Sequence, residues 1–256
     1  MTPLTAAVLG AVEGVTEFLP VSSTGHLILT STLLGIPQSD AHITFEIAIQ
    51  SGAILAVVAL YFKSFLNVEV LKRLIVGFIP TAILGFSLYN IAKTYLISNE
   101  LVVVAALALG GVALILFEFA HREDENGFAD IATIPYKHAA LVGVFQSIAF
   151  IPGVSRSAAT IVGGLLVGFK RLTIVEFSFL LAVPTMAAAT GYSVLKNAEL
   201  FSADQMLTLA IGFITSFAVA LGAIKFLLAY ARRRSFIAFG VYRIAVAVLF
   251  FLFILR

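Results

Sequence analysis

The sequence has no cysteine, which excludes disulfides and thiolate metal sites. Charge is nearly as scarce. Only 12% of the 256 residues are Asp, Glu, Lys or Arg, against 61% hydrophobic. A soluble domain of this length carries about a quarter charged residues, so most of the chain's solvent is lipid. No basic stretch interleaved with aromatics is present, which excludes the usual nucleic-acid surfaces. Cleavable-leader signals are also missing. No basic residue precedes the first apolar run, which contains Glu13 and Glu17, and no small-residue cleavage pattern follows. That run is expected to stay in the mature protein.

Six full membrane spans are expected, at 42–62, 74–92, 99–120, 173–195, 205–231 and 236–255. Each holds close to the 20 or so apolar residues that cross a bilayer. Polar connections separate them, among them 121–137 with its acidic run Glu123-Asp124-Glu125, expected to be a solvated loop. Two apolar segments do not fit. Residues 3–35 are broken by PVSSTGH at 20–26, and residues 138–168 by PGVSRS at 152–157. Neither is long enough for two spans, so each is expected to be a re-entrant helical hairpin. Irregular backbone at membrane depth is tolerated only against protein or a wet cavity, so both breaks should line one.

The halves resemble each other. Val21-Ser22-Ser23-Thr24 and Val154-Ser155-Arg156-Ser157 share a pattern, each behind a proline, Pro20 or Pro152, with Gly153 extra in the second copy. A hairpin followed by three spans, twice, makes an all-α, inverted-topology repeat: repeat 1 over about 1–120, repeat 2 over about 138–256, in one membrane domain. In this topology ten basic residues fall on one face and three, Lys93, Lys196 and Arg256, on the other. Positive residues stay inside, so both termini are expected outside and hairpin 1 opens outward.

Glu13 and Glu17 are four apart and share a helix face. Ionisable groups at membrane depth face protein or water. Two stacked carboxylates call for a proton or a cation between them, and Mg²⁺ is commonly held by one or two carboxylates plus substrate phosphates. Pro20 ends the first arm, and Ser22 or Ser23 caps the second. A helix N-terminus inside the membrane points free N–H groups and its dipole at an anion. His26 lies one turn further on. In the second hairpin Ser155 and Ser157 are capping candidates around Arg156, whose planar fork fits phosphate oxygens. The competing role for Arg156 is a salt bridge to Glu13 or Glu17. Ser23 is read as nucleophile or phosphate ligand, activated by Glu17 or His26. Glu46 and Gln50 start the first span and are placed at the same cavity. Glu176, Lys225 and Arg243 are expected to be structural, the last two near enough to an interface to snorkel or pair. Gly110-Gly111 and Gly163-Gly164 are read as helix-packing residues.

EGVTEFLPVSSTGHL at 13–27 and FQSIAFIPGVSRSAATI at 145–161 closely resemble the bacterial undecaprenyl-diphosphate phosphatase family, also called the bacitracin-resistance protein. The similarity continues through FEIAIQSGAILAVV at 45–58 and EFSFLLAVPT at 176–185. One departure is Ala158, where the family has glycine. The resemblance implies hydrolysis of undecaprenyl diphosphate to the monophosphate carrier of cell-wall synthesis, on the outer side of the bacterial inner membrane. It carries catalytic roles onto Glu13, Glu17, Ser23, His26 and Arg156, and a divalent cation, Mg²⁺ or Ca²⁺, onto Glu13 and Glu17. Ser22, Thr24, Gly25, Gly153, Ser155, Ser157 and Gln50 are assigned to substrate binding. Expected partners are the polyprenyl diphosphate, the bilayer and a second copy in a homodimer. A secondary transporter or flippase of an anionic solute or lipid phosphate is the alternative, since it too uses broken helices in inverted repeats.

Overall fold

The computed structural model describes residues 1–37, 39–91, 100–196 and 205–253. Helix α1, Pro3–Thr16, starts where Pro3 takes the first helical position and Thr2 exchanges capping bonds with Thr5. Helix α2 is Ser23–Leu33. Then come α3, Asp40–Leu60, the short α4, Phe62–Phe65, α5, Val68–Ile91, and α6, Glu100–Ala120. The second half runs α7, Tyr136–Gln146, α8, Arg156–Leu166, α9, Arg171–Lys196, α10, Met206–Ala231, and α11, Ile237–Phe253. The described residues contain no strand beyond one isolated bridge between Phe128 and Phe169.

Among the described residues, five helices are long and apolar enough to cross a membrane: α3, α5, α6, α9 and α10. The sixth expected span, α11, has 17 described residues; its expected end at 255, like the ends expected at 92 and 99, lies outside the described residues, as do Lys93 and Arg256. Helix α1 has 14 residues and α2, α7 and α8 have 11 each. At about 1.5 Å per residue, none spans a hydrocarbon core of about 30 Å. The two broken segments are therefore pairs of short helices, as their sequences predict.

Packing repeats between the halves. Helix α1 lies on α10, and its counterpart α7 lies on α5. Helix α10 also packs on α3, as α5 does on α9, while α3 meets α9 and α6 meets α11. Glycines permit the closest crossings. A Cβ on Gly10 would land on the carbonyl of Gly212, and one on Gly143 on the carbonyl of Gly77. The paired glycines also pack as expected: Gly111 against the Gly240 carbonyl, Gly163 against Phe145 and Gly164 against Ile174. The acidic run is not merely solvated. Glu123 Oε1 accepts from the backbone N–H of Arg171 at 2.8 Å and so caps α9. The Arg171 guanidinium makes a two-pronged bond to Glu118, at 2.6 and 3.2 Å.

Candidate functional site

The site forms where the two breaks meet. After Glu17 the chain turns tightly, with the Val21 N–H bonded to the Leu19 carbonyl at 2.7 Å. Ser22 then sits at φ 73°, the sole non-glycine residue with positive φ among those described. Such a conformation costs on the order of 1–3 kcal/mol and persists where surroundings hold it. Ser22 Oγ caps the N–H of Gly25, and α2 begins at Ser23. The second break places Gly153 at φ 92°, and a Cβ there would meet the Val103 carbonyl at 2.5 Å. Only glycine fits. Ser155 Oγ then caps Ala158 at 3.2 Å, and Ala158, where the resemblance implies glycine, lies inside regular helix.

Ser23, Glu17 and Arg156 form a chain of short contacts. Ser23 Oγ donates to Glu17 Oε2 at 2.6 Å, and Arg156 Nη2 donates to Glu17 Oε1 at 2.7 Å. Arg156 Nη1 bonds the Ser178 carbonyl at 2.9 Å, its guanidinium lies 5.7 Å from the Phe18 ring centre, and its Nε is buried without a partner. The salt bridge weighed against a phosphate clamp is thus present, yet the Nε–H of the fork remains unspent. Glu17 is held on both oxygens. Glu13 is the opposite case: wholly buried, with neither oxygen hydrogen-bonded. The Glu17 carboxyl lies within proton-sharing reach of it, and Glu46 and Arg156 are the other charges acting on it.

His26 shares the site but not those bonds. Its Nδ1 lies 2.8 Å from the Ser22 carbonyl, which only accepts, so Nδ1 carries the proton. Nε2 lies 2.8 Å from the Tyr242 hydroxyl, and the two rings are nearly parallel, 5.5 Å apart. Ser155 and Ser157 both donate to the Leu19 carbonyl, at 3.4 and 2.8 Å; they stitch the breaks together. Thr24 is exposed, and Gly25 packs on Leu107. Gln50 is half-buried one turn beyond Glu46. Glu46 itself is engaged by His42 Nε2 at 2.9 Å and Ser31 Oγ at 3.3 Å.

Arg243 corrects an expectation. It does not snorkel: it is 1% exposed and donates to four carbonyls. They are Ala106 and Gly153 at 3.1 Å, and Leu107 and Pro20 at 3.4 Å. Pro20 and Gly153 belong to the two breaks, so one guanidinium from α11 fastens both. Gly110 leaves room for it, since a Cβ there would strike the guanidinium. Sequence reasoning missed Arg243 and Tyr242 as site residues. Their one signal is a buried-length helix carrying adjacent Tyr and Arg.

Among the described residues, no three His, Asp or Glu side chains are gathered to hold a metal by themselves. A buried carboxyl group whose oxygens accept no hydrogen bond either keeps its proton or takes a positive partner. Glu13, helped by substrate phosphate oxygens, fits a hard divalent cation.

Comparison with known proteins covers nearly the whole chain. The family model described as "Bacitracin resistance protein BacA" matches residues 6–249. The undecaprenyl-diphosphatase of Sulfurihydrogenibium sp. (strain YO3AOP1) is 54% identical over 252 residues, 98% of this chain and 99% of that protein. That of Aquifex aeolicus (strain VF5) is 51% identical over 256 residues, the full length of both. That of Campylobacter jejuni serotype O:23/36 is 47% identical over 253 residues, 98% of this chain and 94% of its own.

Proposed function

The chain belongs to the bacitracin resistance protein BacA family, and from this premise we propose that it hydrolyses undecaprenyl diphosphate to undecaprenyl phosphate and inorganic phosphate. It is a multi-pass membrane phosphatase that recycles the wall-synthesis lipid carrier and so confers bacitracin resistance. The observation that carries the mechanism is the 2.6 Å bond from Ser23 to Glu17. A serine buried beside an anchored carboxylate is a nucleophile with its base in place.

In this reading Ser23 Oγ attacks the terminal phosphorus while its proton passes to Glu17 Oε2. The bond to the bridging oxygen breaks, and undecaprenyl phosphate leaves. Water then cleaves the phosphoserine, giving inorganic phosphate and restoring the serine. Arg156 holds Glu17 in the resting state and turns its free Nε–H, with a neighbouring Nη, toward phosphate oxygens. His26, with its proton on Nδ1, offers Nε2 for proton exchange once Tyr242 yields. A divalent cation, Mg²⁺ or Ca²⁺, would be held mainly by Glu13 with Glu17 beside it, and would supply positive charge to the diphosphate.

The matched packing supports reading the two halves as an inverted repeat whose short-helix pairs re-enter on opposite faces, hairpin 1 outward. The site then serves the outer side of the inner membrane. A transporter or flippase would have the same architecture, but it needs no serine bonded to a base. The test is phosphate release by purified protein from a polyprenyl diphosphate, with and without chelator. Release is expected and should stop in excess chelator. Absence of release overturns the phosphatase reading, and undiminished release in chelator removes the cation from it.

A further inference from the structure

The two halves carry a second correspondence, away from the breaks. Gly10-x-x-Glu13 on α1 matches Gly143-x-x-Gln146 on α7, and GFITS at 212–216 on α10 matches GFIPT at 77–81 on α5. The structure uses both in the same way, since Gly10 crosses Gly212 and Gly143 crosses Gly77 with backbones in contact. One turn beyond the glycines stand Glu13 and Ser216 in one crossing, Gln146 and Thr81 in the other.

In the second crossing the two side chains bond to each other, although Gln146 Oε1 is itself buried without a partner. Gln146 Nε2 donates to Thr81 Oγ1 at 2.9 Å, and Thr81 Oγ1 donates to the Gly143 carbonyl at 2.8 Å. The first is open. Glu13 and Ser216 are both 0% exposed, and neither the Glu13 oxygens nor Ser216 Oγ has a hydrogen-bond partner. Gly14, next to Glu13, lies directly on Ser216, whose carbonyl would be 2.6 Å from a Cβ there. The difference between the crossings is chemical. Gln146 brings an N–H to the hydroxyl opposite it, whereas an ionised Glu13 brings no donor and Ser216 Oγ does not spend its own O–H on it. Two unbonded oxygen groups buried on touching helices are satisfied by a proton or by a cation, and a diphosphate beside them brings a cation. A serine or threonine hydroxyl beside a carboxylate and phosphates is a recurrent Mg²⁺ environment.

We propose that Ser216 belongs to the phosphatase site, where it and Glu13 present oxygen ligands to the divalent cation that accompanies the diphosphate. The proposal rests on the cation in the preceding reading but not on the serine chemistry. Its test reads binding and stability, with Mn²⁺ as probe, followed by electron paramagnetic resonance on the full chain in detergent. Ser216→Ala should weaken Mn²⁺ binding on the order of tenfold, and Ser216→Thr should retain it. Glu13→Gln should abolish binding and, by recreating the Gln146–Thr81 bond, raise the melting temperature by about 2–4 °C. That gain should vanish in the Glu13→Gln, Ser216→Ala double variant. Wild-type Mn²⁺ affinity in Ser216→Ala overturns the proposal, and so does a Glu13→Gln gain that survives loss of Ser216. No Mn²⁺ binding by the wild type also overturns it, whatever the hydrolysis rate. Failure of hydrolysis with Mn²⁺ binding as expected would sink the phosphatase reading and leave Ser216 as a cation ligand.

Discussion

Ser23 and Ser22 are neighbours with different tasks. Ser23 donates a hydrogen bond to Glu17, while Ser22 caps α2 and offers its carbonyl to His26. Ser23→Ala is expected to lower turnover at least a hundredfold, about 2.7 kcal/mol in the barrier, and Ser22→Ala much less. Equal, mild losses in a phosphate-release assay would reduce Ser23 to a binding group. Arg156 has a double role because it already pairs with Glu17. Arg156→Ala leaves a buried carboxylate without its partner, which typically costs about 3–5 kcal/mol, so melting in detergent should fall together with activity. Arg156→Lys keeps the charge and should melt near wild type, yet lose turnover with the planar fork. Near-normal hydrolysis by either variant would take Arg156 out of the site. Glu13, Glu17, Ser23, His26 and Arg156 were legible from sequence because polar groups stand out in apolar surroundings. Tyr242 and Arg243 were not. Tyr242 lies 216 positions from His26, and a tyrosine and an arginine near a helix end are ordinary interfacial residues.

At the scale of elements, the two breaks are legible through proline and serine together: Pro20 and Pro152 stand just before serines that cap a new helix, whereas Pro80 and Pro184, without such serines, lie inside α5 and α9. The sequence did not show which helices would touch. The closest crossings depend on glycines whose partners are far along the chain, and a glycine in an apolar run has many uses. Gly143 is a sharp case, because its missing side chain is where the Gly77 carbonyl sits. Gly143→Ala should therefore separate α7 from α5 and break the Thr81 bond to the Gly143 carbonyl. A loss of about 1–3 kcal/mol from overpacking is expected, read as earlier melting. Gly222→Ala, where nothing lies within 4 Å of the added Cβ, is the control and should melt as wild type does.

Across the whole molecule, the proposed orientation rests on the charge asymmetry of the connections. The absence of native cysteine makes it directly testable. A cysteine at Arg233, in the turn between α10 and α11, should react only with reagents that reach the cytoplasm. A cysteine at Thr2 should react with an impermeant reagent from outside. The opposite pattern would reverse the membrane placement and the outward opening of hairpin 1.

Arg243 has a consequence in time. The candidate catalytic groups of the first break lie between Glu13 and His26, but the guanidinium that fastens Pro20 to Gly153 comes from α11, 223 positions after Pro20. Tyr242, which bonds His26, immediately precedes it. During synthesis Ser23 and Glu17 therefore exist through all the intervening chain without the clasp that joins the two breaks. The candidate site takes its described shape only after α11 has been made.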